Sequence, residues 1–222
     1  MMRPREKAFC YGLPCLSEEE LLALLLETGS PSCPVEELSK KLLLKYGSLS
    51  SVLFEKEGLV KEKGVGKVKK LRISCALEMI RRYSLSAIKE IRDSSEAYLL
   101  TKTFFYHRKK EALLIFHLDG KGKVKEILRK DSLFYDRVSL DESYKNLPGV
   151  MEGDTLLFVH NHPSQCLSPS SSDLICLDRI REELASGKLK LMDFIIVSDS
   201  GFASLSRSGS LQSPFSCKIR GL

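Results

Sequence analysis

The stretch that decides the fold reads Phe158-Val-His-Asn-His-Pro-Ser-Gln-Cys-Leu-Ser-Pro-Ser-Ser-Ser-Asp173. An apolar run ends at Val159 and leads into His160, and His162 follows after one spacer residue. Side chains two residues apart on a strand point to the same side, so both imidazoles are expected to face one point in space. The proline after His162 ends the hydrogen-bond ladder and turns the chain. The stretch therefore predicts a strand whose end presents two histidines.

Asp173 stands at the start of the next predicted element, a helix. The residues after it carry an apolar stripe at helical spacing, formed by Leu174, Leu177, Ile180 and Leu184. His160, His162 and Asp173 thus converge from a single turn. Two imidazoles and a carboxylate suit a Zn²⁺ ion whose fourth position is left to water, as in catalytic zinc sites. The alternative is structural, because Ser170 and Asp173 also have the spacing of a helix capping box.

The composition is that of an ordinary globular protein, with 222 residues, 43% hydrophobic and 29% charged. No apolar run approaches the roughly 20 residues that span a bilayer, and the N-terminus lacks the apolar region of a secretory signal. We therefore expect a cytoplasmic protein without a membrane partner. Seven scattered cysteines without a Cys-x-x-Cys pair indicate free thiols. The net charge of +6 permits an acidic partner, and the oligomeric state stays open.

The pattern of elements predicts an α+β protein with two domains. Residues 1–83 are expected to form a helical N-terminal domain, residues 84–94 a linker, and residues 95–222 a domain with a mixed sheet flanked by helices. In the second domain, helices are predicted at 95–106 and 142–149. Strands are predicted at 112–118, 123–130, 154–160, 191–197 and 202–206.

A glycine pair, Gly64-Val-Gly66, lies between two predicted helices of the N-terminal domain. This pattern resembles a helix-hairpin-helix, in which backbone N–H groups at a helix N-terminus approach a DNA phosphate. Residues 56–82 hold nine lysines and arginines against three glutamates, and this excess favours such contact. Binding would be independent of base sequence. The alternative is an ordinary interhelical turn beside a solvated basic face. The residues predicted to contact phosphate are Gly64, Gly66, Lys67, Lys69 and Lys70.

The spacing of His160, His162, Ser170 and Asp173 resembles the JAMM signature of MPN/JAB1 metallohydrolases. The flanking His-Asn-His-Pro-Ser and Pro-Ser-x-x-Asp narrow the resemblance to bacterial RadC-type proteins of the UPF0758 family. The early segment Arg3-Pro-Arg-Glu-Lys7 is similar to the start of that family, so the resemblance spans nearly the whole chain. It implies an MPN/JAB1-like second domain of cytidine-deaminase-like architecture with Zn²⁺ as cofactor.

The resemblance also implies roles for individual side chains. The two histidines and Asp173 would be the zinc ligands. Glu142 would be the general base, with its neighbour Asp141 as the alternative. Ser170 would donate a hydrogen bond to the oxyanion of the transition state. The implied reaction is hydrolysis of a peptide or isopeptide bond in a substrate that the sequence does not identify.

Three positions depart from the family pattern, and none of them is a predicted ligand. Gln165 replaces a glycine, Phe194 replaces a histidine, and Asp141 replaces an arginine. If the glycine position takes a left-handed backbone, Gln165 costs on the order of 1 kcal/mol there. No ligand role is predicted for His107 or His117. Cys166 is expected to be a surface loop cysteine without a role, with a coordinating or oxidisable thiolate as the alternative.

A second function from another class is also compatible with the sequence. In it the chain is a DNA-associated accessory protein of repair or recombination, and the metal site is structural or vestigial. The basic stretch 56–82 favours this alternative. The hydrolase is favoured because Glu142 and all four residues of the His–Ser–Asp signature occur together.

Overall fold

The computed structural model describes residues 2–55, 58–131, 147–185 and 187–206. Contacts between Cα atoms divide the chain into two compact units, Met1–Arg82 and Tyr83–Leu222. Within the described residues, no helix is long and apolar enough to cross a bilayer.

The first unit is built from helices, as the sequence predicts. They are α1 (Pro4–Tyr11), α2 (Glu18–Leu26), α3 (Val35–Tyr46), α4 (Leu49–Phe54) and α5 (Lys67–Ser86). Two of these helices have well-formed caps. Ser17 precedes α2 and forms a reciprocal capping box with Glu20, and Gly47 ends α3 with a φ of 88°.

The core of the first unit collects the apolar faces of these helices. The helix α1 was not predicted from the sequence, and none of its residues is buried. It is held to α2 at its surface, where the Lys7 ammonium donates to the Glu20 carboxylate at 2.7 Å. The core itself includes Leu22, Leu26, Leu38, Leu42, Val52, Leu59, Val65 and Ile73.

The second unit is built around a mixed five-stranded sheet with the strand order β2-β1-β3-β4-β5. Neighbouring strands are antiparallel except for the parallel pair β3–β4. This arrangement confirms the predicted α+β class with its mixed sheet. The elements are α6 (Ser94–Phe105), β1 (Ala112–Leu118), β2 (Val124–Asp131), β3 (Thr155–Asn161), α7 (Ser171–Ala185), β4 (Lys190–Val197) and β5 (Phe202–Ser204).

The two faces of the sheet carry separate cores, because alternate side chains of each strand point to opposite sides. On one face, Phe104 of α6 packs with Leu114 and Val159. On the other face, Leu177 of α7 packs with Leu113 and Phe158. The stretch with the candidate metal ligands therefore follows a strand that is buried on both sides, and this burial holds the strand's end in place.

The predicted and observed elements differ mainly at their ends. The strand β1 has the predicted bounds, and β3 is shifted by one residue. The predicted helix 142–149 lies largely outside the described residues. Residues 84–94, predicted as a linker, contribute Ile88 and Ile91 to the sheet core, and the Ile91 N–H donates to the Gly122 carbonyl at 2.8 Å.

Candidate metal centre

His160 and His162 come from the end of β3 and the residue just beyond it. His160 is paired with Leu113 of β1 and with Ile196 of β4. The intervening Asn161 points the other way. Its side-chain oxygen accepts the Ala112 N–H at 2.8 Å, and its amide donates to the Lys110 carbonyl at 3.3 Å. These bonds fasten the end of β3 to the start of β1, so both imidazoles leave a fixed backbone.

A tight turn after β3 orients the His162 ring. The Gln165 N–H donates to the His162 carbonyl at 2.9 Å and closes the turn. The Cys166 carbonyl accepts a hydrogen bond from Nδ1 of His162 at 2.9 Å. A carbonyl oxygen can only accept, so Nδ1 carries a proton and the lone pair for a metal is on Nε2. A partner of this kind on the second ring nitrogen is usual for a metal-binding histidine.

Asp173 lies in the first turn of α7 and is held by Ser170. The Ser170 N–H and hydroxyl both donate to Oδ2 of Asp173 at 2.7 Å, and the Asp173 N–H donates back to the hydroxyl at 3.2 Å. This is the capping box considered in the sequence. The metal and capping alternatives are therefore compatible, because the box directs the carboxylate toward the histidines.

The three side chains meet in a buried cluster. One ligand atom from each of His160, His162 and Asp173 lies within 4.8 Å of the others. Nε2 of His162 is 3.1 Å from Oδ2 of Asp173, and Nε2 of His160 is 3.6 Å from Oδ1. Ligands about 2.05 Å from a tetrahedral zinc are about 3.3 Å apart. The two histidine–aspartate separations bracket this value, so Asp173 lies at a suitable distance from each histidine for a cation of that size.

The protonation states also suit a metal. Burial lowers the pKa of His160 to about 4, so its imidazole is neutral at pH 7. A hydrogen bond to the Asp173 carboxylate raises the pKa of His162. Burial alone would raise the pKa of Asp173, but the hydrogen bonds from His162 and Ser170 outweigh it and hold that pKa well below its usual range. A cation bound by His162 and Asp173 would replace the hydrogen bond between their side chains.

Two of the departures from the family pattern lie beside this cluster. Phe194 is buried on β4, stacks on Phe158 with ring centroids 5.8 Å apart, and lies 6.5 Å from the His160 ring. It supplies an apolar wall where the pattern has a histidine. Gln165 has a φ of 62°, so the condition set in the sequence analysis holds, and the glycine position takes a left-handed backbone. Asp141 and Glu142, the alternative general bases, lie outside the described residues.

Sequence reasoning missed one carboxylate at this end of the sheet, that of Glu111. Continuing the antiparallel register from the Leu113–His160 pair by two residues brings Glu111 opposite His162. Glu111 is two residues before Leu113, whose side chain lies on the face of the sheet that α7 covers. By the strand alternation, the Glu111 side chain is expected on that same face, where the candidate metal ligands lie. Next to the Asp173 hydrogen bond, its charge is a further cause that raises the His162 pKa. The strand pairing could have revealed it, but the sequence alone does not give that register.

The other two histidines bind carboxylates away from the cluster. Nε2 of His117 is 2.8 Å from Asp154, which also accepts from the Lys125 ammonium at 2.8 Å. Nδ1 of His107 is 3.1 Å from Asp199. Among the described residues, neither histidine belongs to a group that could hold a metal ion.

The glycine pair of the first unit forms a turn that leads into α5. Gly64 has a φ of 94°, and a side chain there would approach Leu38. The Lys69 ammonium donates to the carbonyls of Gly64 at 2.7 Å and Gly29 at 3.1 Å. Lys69, predicted as a phosphate contact, therefore stabilises the turn itself. Of the other predicted contacts, Gly66 and Lys67 are exposed and Lys70 is partly exposed.

Comparison with known proteins assigns both units. The UPF0758 N-terminal family model matches residues 1–71, and the RadC-like JAB domain model matches residues 91–210. A UPF0758 protein of Clostridium perfringens (strain 13 / Type A) is 32% identical over 213 residues, covering 91% of each chain. A UPF0758 protein of Haemophilus influenzae (strain 86-028NP) is 29% identical over 90% of this chain and 92% of its own. The chain therefore belongs to the UPF0758 family and carries a RadC-like JAB domain.

Proposed function

We propose that the chain is a zinc-dependent hydrolase of the JAMM type that cleaves peptide or isopeptide bonds. The observation that carries the proposal is the buried cluster of His160, His162 and Asp173, whose donor separations suit a tetrahedral cation. The RadC-like JAB domain supports it independently. The open side of a three-ligand site is where water and substrate would bind.

Zn²⁺ bound here would supply a water of lowered pKa and a Lewis acid for the substrate carbonyl. The residues of the chain would hold and move protons around it. Glu142 is proposed as the base that takes a proton from that water and delivers it to the leaving amine. The Ser170 hydroxyl has one hydrogen, and in this structure it donates that hydrogen in a hydrogen bond to the Asp173 carboxylate. To serve an oxyanion, Ser170 would have to release Asp173 on substrate binding.

The first test is the metal content of protein purified without chelator. We expect about one zinc per chain, and expect the Asp173→Ala variant to lose it. Asp178→Ala is the matched control, because Asp178 is an exposed aspartate on the same helix. Wild-type protein that stays free of zinc after zinc is supplied, or an Asp173→Ala variant that binds as the wild type does, would contradict the proposal.

Turnover is tested separately with the two carboxylates that could act as base. Glu142→Gln should keep its zinc and lose hydrolysis of a peptide or isopeptide substrate by about 100-fold or more. Glu111→Gln removes the negative charge opposite His162 and is the comparison. A larger loss in Glu111→Gln than in Glu142→Gln, with zinc retained in both, would transfer the role of base to Glu111.

We propose a second function for the first unit, binding of DNA through its backbone. The observation that favours it is the turn before α5, where a side chain at Gly66 would meet nothing within 4 Å. A phosphate could therefore approach the first N–H groups of α5, which have no partner inside the helix. This activity would deliver the hydrolase to DNA or stand alone as an accessory role.

Duplex DNA binding measured by fluorescence anisotropy at two salt concentrations tests this second function. We expect affinity that falls with salt and that is reduced in Lys67→Glu. Lys121→Glu in the turn between β1 and β2 is the control of equal charge change. Equal weakening by both variants, or binding that ignores salt, would contradict a site at the start of α5.

A further inference from the structure

Gln165 lies in the turn between two ligands of the proposed metal site, and its conformation is unfavourable for its residue type. Its φ of 62° is in the left-handed region, where an L-residue with a side chain is strained. A glycine would adopt this turn without strain. Strain of this kind persists where surrounding contacts hold it, so the contacts of Gln165 are informative.

The side chain of Gln165 reaches a different part of the chain. Its Oε1 accepts the backbone N–H of Asp199 at 2.7 Å. Asp199 belongs to the turn between β4 and β5, which lies beside the end of β3 in the sheet. The bond therefore joins the turn that carries the metal ligands to the turn of the neighbouring strand, 34 residues along the chain.

Asp199 is itself fixed from the other side. Its Oδ1 accepts the His107 N–H at 3.1 Å, and its Oδ2 is 3.1 Å from Nδ1 of His107. His107 follows α6 and is also left-handed, with a φ of 49°. Two strained residues thus bind one aspartate, which in turn accepts from the Tyr98 hydroxyl at its backbone carbonyl, 3.4 Å away. We name the contacts of Gln165 and His107 with Asp199 the Gln165 clamp.

The clamp acts on the metal site through Cys166. The conformation of Gln165 sets the direction in which the chain enters Cys166, and the Cys166 carbonyl accepts a hydrogen bond from Nδ1 of His162 at 2.9 Å. That bond sets the tautomer and the ring orientation of His162. Groups that orient metal ligands in this way commonly change metal affinity by about 10- to 100-fold when removed.

We propose that Gln165 is a positioning residue that holds His162 ready for the metal by anchoring its turn to Asp199. A glycine would form the same turn without an anchor. The glutamine has a strained backbone, but its side chain accepts the hydrogen bond from Asp199 that prevents the turn from reorienting. The inference rests on the proposed metal site and extends it to a residue that departs from the family pattern.

The test compares zinc affinity, by competition with a chelator, in wild-type protein, Gln165→Gly and Gln165→Asn. Gln165→Gly keeps the turn and removes the anchor. Gln165→Asn is the matched variant, since asparagine tolerates the left-handed region and keeps the amide but is one methylene too short to reach Asp199. Both should bind zinc about 10-fold more weakly than the wild type.

Two further readouts separate positioning from a structural role. Without metal, the relief of strain opposes the loss of one hydrogen bond, so the melting temperature of Gln165→Gly should shift by less than about 3 °C. With Co²⁺ in place of zinc, the absorption bands of the tetrahedral site should lose intensity in both variants. The Asp173→Ala variant serves as the non-binding control in the zinc competition and in the Co²⁺ absorption measurement.

The outcomes are distinguishable. Wild-type affinity in both variants would overturn the clamp and leave the metal site standing. Wild-type affinity in Gln165→Asn alone would show that the backbone conformation suffices, and would also overturn it. A large fall in melting temperature that accounts for the affinity loss would make Gln165 merely structural. Failure of the wild type itself to bind metal would overturn both the clamp and the proposed function.

Discussion

Metal binding to the cluster should release about one proton per ion at pH 6, and the structure identifies its source. The Nδ1 proton of His162 is committed to the Cys166 carbonyl and stays in place. Because the pKa of His162 is raised, we expect a second proton at pH 6 on Nε2, shared with the Asp173 carboxylate 3.1 Å away. A cation bound by both atoms must displace that proton.

The number of protons released at pH 6 follows from the protonation states of the three proposed ligands. An unperturbed histidine is about three-quarters protonated at pH 6, and the Asp173 hydrogen bond raises the pKa of His162, so its protonated fraction is higher. His160, whose pKa burial lowers to about 4, gives no proton at this pH. Asp173 is ionised because its pKa is held low. A zinc-bound water with a pKa near 7 adds only about 0.1 proton at pH 6.

Calorimetric titration of zinc into the metal-free protein in two buffers of different ionisation enthalpy measures this number. Since the folded pKa of His162 is raised, zinc affinity should increase about tenfold per pH unit below that pKa and level off above it. The release from His162 then disappears as the pH rises through its pKa. Release near zero at pH 6 would refute the shared proton, and release near two would refute the neutral state of His160.

Two predictions concern stability. Asp154→Asn should lower the free energy of unfolding at pH 7 by about 2 kcal/mol, because it removes a buried carboxylate that accepts from Lys125. Burial raises the Asp154 pKa, but its hydrogen bonds lower it overall to about 2, so this stabilisation is present above the ordinary pKa and is lost as the pH falls toward 2. Urea unfolding at pH 7 and near pH 2 should therefore show a deficit that vanishes in acid, and a deficit independent of pH would contradict the assignment. Gly64→Ala should cost about 1–2 kcal/mol, since its φ is 94° and a new methyl would lie 3.3 Å from Leu38. Gly66→Ala meets open space and should change stability by about 0.5 kcal/mol or less; thermal unfolding of the pair checks both.

Strands buried on both faces were predictable because burial leaves a signal in the sequence itself. The run at 112–118 is apolar throughout apart from His117, and the strand has the predicted bounds. Residues 84–94 show the opposite case. Ile88 and Ile91 lie in a short stretch of mixed apolar, small and polar residues without a clear core periodicity, so the sequence does not indicate their burial. Their place in the core depends on pairing with the start of β2, through the bridge between Glu90 and Lys123.

The candidate metal site also has one part that the sequence predicts and one part that it does not. Two histidines on alternate positions and an aspartate in a capping box are local patterns, and the structure brings all three together. The contribution of Gln165 was not predictable, because only its strain could be inferred from the chain and its partner Asp199 lies 34 residues away. Glu111 was missed for a related reason, since its approach to His162 depends on a strand register.

The connection between β3 and β4 explains why three ligands from one short stretch meet. A parallel pair requires a crossover, and here α7 provides it. The helix must begin at the carboxyl end of β3 and run back along the sheet, so its first turn lies beside the last residues of that strand. His160 and His162 at the end of β3 and Asp173 in the first turn of α7 are adjacent for that reason, and ligand sites commonly occupy this position in sheets with parallel strands. The proposed metal site thus lies within one β-α-β unit. Glu142 belongs to a segment before that unit, so binding and turnover are physically separable, and a variant of Glu142 can lose hydrolysis while its metal titration stays that of the wild type.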